Sequence, residues 1–132
     1  MTGLESREQM KSPSTSNTQR VLIVDDDRNL TALLSTILRS DGIDVLTASN
    51  GLTALDLLEK EPIDALILDL RMPGMDGRTL YKEVRARGHS VPVLIASAYG
   101  ARTAQQELGA EGSIEKPFDP DKLLSAILRI IR

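Results

Sequence analysis

The sequence predicts an α/β domain, a parallel sheet covered by helices on both faces, and three observations carry that reading. Short continuous apolar runs such as Val21-Leu22-Ile23-Val24 and Leu66-Ile67-Leu68 recur along the chain, the pattern of strands buried on both sides. Between them lie segments whose apolar residues return at helical spacing. Each crossover is about twenty to thirty residues long, enough to carry a helix back over the sheet so that the next strand runs parallel.

Taken in order, residues 1–19 are rich in Ser, Thr, Gln, Lys and Glu, have nothing to bury, and read as a disordered tail. The first strand, from Val21 to Val24, runs into Asp25-Asp26-Asp27. A helix follows from Arg28 to Ser40, with Leu30, Leu33, Leu34, Ile37 and Leu38 at helical spacing and Gly42 after its end. Asp44 to Ser49 is a second, less apolar strand suited to a sheet edge, broken by Asn50-Gly51. Leu52 to Lys60 is the next helix, with Leu55 and Leu58 inward and Pro62 closing it.

The third strand, Asp64 to Asp69, delivers one carboxylate where three large aliphatics stop. The loop after it, Met72-Pro73-Gly74, must turn sharply, because Pro73 has a fixed φ and no N–H while Gly74 and Gly77 reach conformations other residues avoid. A helix from Gly77 to Ala86 buries Leu80 and Val84, and Val91 to Ala98 forms a fourth buried strand. Ala101 to Leu108 is a short helix and Gly112 to Glu115 a short strand. Asp119 caps the last helix, with Pro120 at its first position.

Bulk properties narrow the function. A chain of 132 residues supports one domain with a real core, here residues 20–132. Net charge is -3 with both signs interspersed and aromatics are 2%, so neither a basic face nor a stacking platform for nucleic acid is present. With no cysteine there is neither a disulfide framework nor a thiolate site, which suits a reducing compartment. The sequence carries no apolar leader and no run long enough to span a bilayer, and the cytoplasm is the expected location.

In doubly wound folds ligands bind beyond the carboxyl ends of the strands, where the strand order switches. Asp25, Asp26, Asp69, Ser97 and Lys116 all fall at such ends. Crowded carboxylates repel one another unless a cation shares their space, and all-oxygen donors with few protein ligands suit Mg²⁺. A calcium loop is excluded, because counting from Asp25 the sixth position is not Gly and the twelfth is not Glu. Lys116 adds a point positive charge and Ser97 a hydroxyl. Together they make a pocket for a phosphoryl group carried on Asp69, which stands alone at a central strand end while Asp25 and Asp26 are paired for the metal.

The segments Val21-Leu-Ile-Val-Asp25-Asp26-Asp27, Leu68-Asp69-Leu-Arg71-Met-Pro-Gly-Met-Asp-Gly77, Val93-Leu-Ile-Ala-Ser97-Ala98 and Lys116-Pro117-Phe118 resemble the receiver domain of two-component response regulators, over residues 20–132. The resemblance implies a flavodoxin-like five-stranded sheet in the order 2-1-3-4-5 with five helices, and a cis Lys116-Pro117 bond. It implies that Asp69 accepts a phosphoryl group from a phosphohistidine on a sensor histidine kinase or phosphotransfer protein. The protein would catalyse only its own phosphorylation and dephosphorylation. It further implies that Asp26, Asp69 and the Arg71 backbone carbonyl ligate Mg²⁺, with Asp25 acting through water. Ser97 would be the switch hydroxyl, Lys116 the phosphate-binding lysine, and a downstream protein would read the result.

Two departures bear on that readout. Ser113 stands where the family carries an aromatic switch residue, and the fourth helix is expected to be shortened. The last helix has one apolar stripe at Leu123, Ile127 and Ile130 and another at Leu124, Leu128 and Ile131, an arc whose first reading is deep seating on the sheet; the alternative is that part of the second stripe, in the region of the fourth and fifth helices, forms a surface for a second copy or a partner. Two other functions fit parts of the pattern: a degenerate receiver acting only as a protein-binding module, and, less well, a Mg²⁺-dependent small-molecule phosphohydrolase, for which no cap domain encloses a substrate. His89, the one histidine, reads as a solvated loop residue.

Overall fold

Val21, Leu22, Ile23 and Val24 have no solvent exposure, so the first apolar run is buried on both faces, as its continuity requires. In the computed structural model, which describes residues 18–131, it lies inside the sheet with a strand on either side. The elements are β1 (Arg20–Val24), α1 (Arg28–Ser40), β2 (Asp44–Ala48), α2 (Gly51–Lys60), β3 (Ala65–Asp69), α3 (Gly77–Ala86), β4 (Val93–Ser97), α4 (Ala101–Leu108), β5 (Gly112–Glu115) and α5 (Pro120–Ile130). Most of the expected tail, residues 1–17, lies outside the described residues. Gln19 already belongs to the sheet end, its carbonyl accepting a hydrogen bond from the Asp44 N–H at 2.8 Å.

The sheet has the order β2-β1-β3-β4-β5 with every pair parallel. Alternate residues of one strand therefore feed two separate cores. Leu22, Val24, Leu66 and Leu68 pack beneath α2, α3 and α4, while Val21, Ile23, Ala65 and Ile67 pack beneath α1 and α5. Each fully buried Leu or Ile stabilises the fold by roughly 1.5–3 kcal/mol, so the two layers fix the strand ends firmly. Val24 pairs with Leu68 and Asp69 with Ala96, which sets Asp25, Asp69 and Ser97 at one edge of the sheet, where the strand order switches between β1 and β3.

Several local readings shift. Asn50 and Gly51 do more than break β2. The Asn50 side chain accepts from the Thr53 N–H at 2.9 Å as the cap of α2, and Gly51 is that helix's first residue. Met75 Sδ would lie 2.7 Å from a Cβ at Gly51, so the glycine admits the loop that follows β3. α4 has eight residues, the shortest of the five helices, held between Gly100 and Gly109 at φ values of 69° and 79°. On α1, Leu34 and Leu38 face the core while Leu33 is half exposed. It lines an apolar groove of ≈ 310 Å³ with Leu30, Pro117, Phe118 and Pro120.

α5 begins as expected, with the Asp119 side chain accepting from the Asp121 N–H and Pro120 in the first turn. Its first stripe is buried, Leu124 and Ile131 pack partly against the same core, and Leu128 is exposed. His89 is not free in its loop, since its Nε2 lies 2.7 Å from Glu59 Oε2 and ties the α3–β4 loop to α2.

Candidate functional site

The acidic triplet after β1 divides into three environments. Asp25 extends the sheet ladder, donating its N–H to the Ala48 carbonyl at 3.1 Å, and its side chain turns inward to 5% exposure. Its Oδ1 accepts from the Asp27 N–H at 3.0 Å, leaving Oδ2 for Lys116 Nζ at 2.7 Å. Asp27 is the cap of α1, accepting from the Leu30 N–H at 3.1 Å. Asp26 is exposed, yet one carboxylate oxygen from each of Asp25, Asp26 and Asp69 falls within a 4.8 Å span.

Asp69 ends β3 and is 6% exposed. The loop beyond it is clamped from the far side. The Gly77 N–H donates to the Leu70 carbonyl at 2.9 Å, and a Cβ on Gly77 would come within 2.7 Å of Leu70 Cα. Only a glycine lets α3 begin so close to the end of β3. Gly74 takes φ 78°, the left-handed turn expected after Pro73, and the Asp76 side chain caps α3 by accepting from the Thr79 N–H at 2.8 Å.

Ser97 ends β4 at 1% exposure, and its carbonyl accepts the Lys116 N–H at 2.8 Å. The Lys116-Pro117 bond is cis, and the lysine side chain reaches back over the sheet edge, with Nζ 3.4 Å from Asp69 Oδ1. All the residues expected at the strand ends thus converge on one crevice. Arg71 sends its side chain elsewhere, to the exposed ring of Tyr99, with Cζ 5.5 Å from the ring centroid. Tyr99 and the packing role of Gly77 escaped the sequence reading. The signal for Tyr99 was an aromatic two residues beyond a buried strand-end Ser in a chain with few aromatics.

Burial, then the neighbouring Asp25 charge, raise the pKa of Asp69 above the ordinary carboxylate value, against the opposing pull of Lys116 and the Arg71 backbone N–H. For Lys116, burial alone would lower the pKa, but the hydrogen bond and charge of Asp25, joined by the charge of Asp69, raise it overall. One ammonium pairs with two of the three clustered carboxylates, so the site favours a further cation. Its hard oxygen donors within 4.8 Å fit Mg²⁺. At the other side of β5, Ser113 sits opposite Ile95 and lines an open groove of ≈ 560 Å³ with Leu94, Gly112, Arg129 and Ile130.

The response regulator receiver domain family model matches residues 21–128. The chain is 36% identical over 116 residues to sporulation initiation phosphotransferase F of Bacillus subtilis, covering 86% of this chain and 94% of that protein. It is 40% identical over 116 residues to the transcriptional regulatory protein CpxR of Escherichia coli, covering 86% of this chain but only 49% of CpxR. Among solved structures, the response regulator TrrA of Thermotoga maritima, in complex with Mg²⁺ and BeF, superposes with a TM-score of 0.79 at 30% identity, covering 86% of this chain and 100% of TrrA. The chain belongs to the response regulator receiver domain family. It is a receiver of two-component signalling rather than a classical enzyme. No helix among the described residues is long and apolar enough to cross a membrane.

Proposed function

We propose that this receiver is a phosphoacceptor that takes a phosphoryl group onto Asp69 from a phosphohistidine of a sensor histidine kinase or phosphotransfer protein, in the cytoplasm, and passes the change to a protein partner. The observation that carries the reading is the crevice itself, where the buried Asp69 lies 3.4 Å from the Lys116 ammonium and within a 4.8 Å cluster with Asp25 and Asp26. An Asp69 carboxylate oxygen attacks phosphorus, the bond from phosphorus to the donor imidazole breaks, and the imidazole leaves with its electron pair. Asp25, Asp26, Asp69 and the Arg71 carbonyl would hold Mg²⁺, which when bound neutralises charge on the transferring oxygens.

Lys116 moves from Asp25 to a phosphoryl oxygen, and Ser97 offers its hydroxyl to another. Because Ser97 and Lys116 are joined through backbone, a pull on either reaches the ends of β4 and β5 together. Wild-type protein given phosphoramidate and Mg²⁺ gains the mass of one phosphoryl group, whereas Asp69→Asn and chelated samples gain none. A wild type that stays unmodified and binds neither Mg²⁺ nor beryllium fluoride would instead mark a receiver used only for protein binding, a reading to which Ser113 lends some weight.

A further inference from the structure

The loop that follows β3 carries two methionines in different settings. Met72 is 8% exposed and belongs to the core beneath α2, α3 and α4, whereas Met75 is half-buried and packs against that core from outside. The Met75 side chain lies along a notch at the start of α2. A Cβ placed on Gly51 would meet Met75 Sδ, Cβ and Cγ at 2.7, 3.0 and 3.1 Å, so the thioether fills the space that a larger residue at position 51 would need. The loop is thus held at two points, by the Gly77 N–H on the Leu70 carbonyl and by Met75 in this notch. Arg71 stands between β3 and Met75.

We propose that Met75 is an oxidation site, open to a peroxide, whose sulfoxide releases the acceptor loop. The chain has no cysteine, so a peroxide meets no thiol and methionine sulfur is its soft target. A lone pair on Sδ attacks one peroxide oxygen and the oxygen–oxygen bond breaks. The departing hydroxide takes the proton of the transferred oxygen and leaves as water. Sulfur gives up two electrons, the peroxide gains them, and the thioether becomes a polar sulfoxide. Reduction with a dithiol, catalysed by methionine sulfoxide reductases, returns the thioether with a disulfide and water, so the change is reversible.

The added oxygen finds no space on the side facing Gly51, where even a Cβ does not fit. A sulfoxide held against an apolar core also loses the water that it would bind outside. The side chain therefore leaves the notch, and the loop keeps only its Gly77 anchor. With the Arg71 carbonyl less firmly placed, Mg²⁺ binds roughly three- to tenfold more weakly, less than the about ten- to hundredfold lost with a direct supporting partner of a metal ligand. That last step rests on the metal site proposed above, while the loosening of the loop does not.

The test treats wild type, Met75→Leu and Gly51→Ala with hydrogen peroxide. It locates the added oxygen by peptide mass spectrometry, follows amide hydrogen exchange without metal, and titrates Mg²⁺. Wild type gains oxygen at Met75 before Met72, exchange quickens across residues 70–77 and at the start of α2, Mg²⁺ affinity falls, and the reductases restore both. Met75→Leu, close to methionine in volume, behaves like untreated wild type before and after peroxide. Gly51→Ala, whose methyl group takes the notch, shows the loosened loop without peroxide, oxidises faster at Met75, and gains little further loosening from it. Oxidation of Met72 ahead of Met75, a Met75 sulfoxide that leaves loop exchange unchanged or slower, or a Met75→Leu that loosens under peroxide as wild type does would overturn the proposal and leave the acceptor reading intact. A loop that loosens on oxidation in a protein that binds no Mg²⁺ even untreated would support the oxidation site and overturn the metal reading instead.

Discussion

Lys116 is held by Asp25 more closely than by Asp69, with Nζ 2.7 Å from Asp25 Oδ2 and 3.4 Å from Asp69 Oδ1. The lysine is therefore parked beside the proposed acceptor and occupies part of the charge that a metal would otherwise neutralise. Lys116→Ala frees Asp25, so Mg²⁺ binds about three- to thirtyfold more tightly by calorimetry, the range expected when one nearby positive charge is removed. Without metal the same variant is less stable by about 1–3 kcal/mol in denaturant unfolding, below the cost of breaking a wholly buried pair because Lys116 is partly exposed. Its pKa is raised in the folded state, so the ion pair's contribution holds below the ordinary lysine pKa and is lost as pH climbs through the raised value. Weaker Mg²⁺ binding by Lys116→Ala would contradict this picture.

Asp69→Asn stabilises the metal-free protein at neutral pH. Burial and the charge of Asp25 hold the Asp69 pKa up in the folded state, so the folded chain binds its proton more tightly than the unfolded chain. The contribution of Asp69 to stability is then most favourable at low pH and declines as pH rises through its raised pKa. The neutral variant should be more stable by about 0.5–2 kcal/mol near pH 7, the usual gain when functional strain is removed. The gain should shrink on acidification toward the ordinary carboxylate range. Thermal unfolding across pH checks the sign, and a less stable Asp69→Asn at neutral pH contradicts it.

Asp76 provides a control of opposite sign. Hydrogen bonds from Thr79, chiefly its backbone N–H, lower the Asp76 pKa, so its contribution is present above the ordinary carboxylate value and fades as pH falls through the lowered one. Asp76→Ala removes the cap of α3 and costs about 0.5–2 kcal/mol. That deficit should narrow in acid, measured in the same pH series.

Two glycines in one loop separate crowding from backbone conformation. Gly77→Ala drives a methyl group toward the backbone of Asp69 and Leu70, so it costs about 2–4 kcal/mol and displaces the acceptor loop, weakening Mg²⁺ binding. At Gly74 a Cβ meets nothing within 4 Å, and φ of 78° is the only obstacle. Gly74→Ala therefore costs about 1–2 kcal/mol and leaves Mg²⁺ affinity near wild type. Equal losses of Mg²⁺ affinity in the two variants would refute the distinction.

Much of this molecule is legible in its sequence because burial and chain reversal leave strong local marks. Val21 to Val24 and Leu66 to Leu68 mark buried strands by their continuity, and the polar residue after each run marks the strand end, which is how Asp25, Asp69, Ser97 and Lys116 stand out. Composition alone does not yield what depends on geometry between segments distant in sequence. The choice of Lys116 between two carboxylates turns on a difference of less than one ångström. Leu33 shares the helical spacing of its neighbours but faces the groove beside Phe118, since periodicity locates a face without saying how wide the sheet beneath it is. The contact of Arg71 with Tyr99 joins two loops whose separation is set by the pairing of β3 with β4.

The central claim is that Asp69 carries the phosphoryl group. Borohydride reduction of protein treated with phosphoramidate and Mg²⁺ converts an aspartyl phosphate to homoserine, and peptide sequencing by mass spectrometry locates the converted residue. Conversion at position 69 alone, abolished by chelation of Mg²⁺ and slowed in Lys116→Ala, is the predicted result. Conversion at Asp25 or Asp26, or phosphorylation that persists in Asp69→Asn at the same rate, would contradict the account.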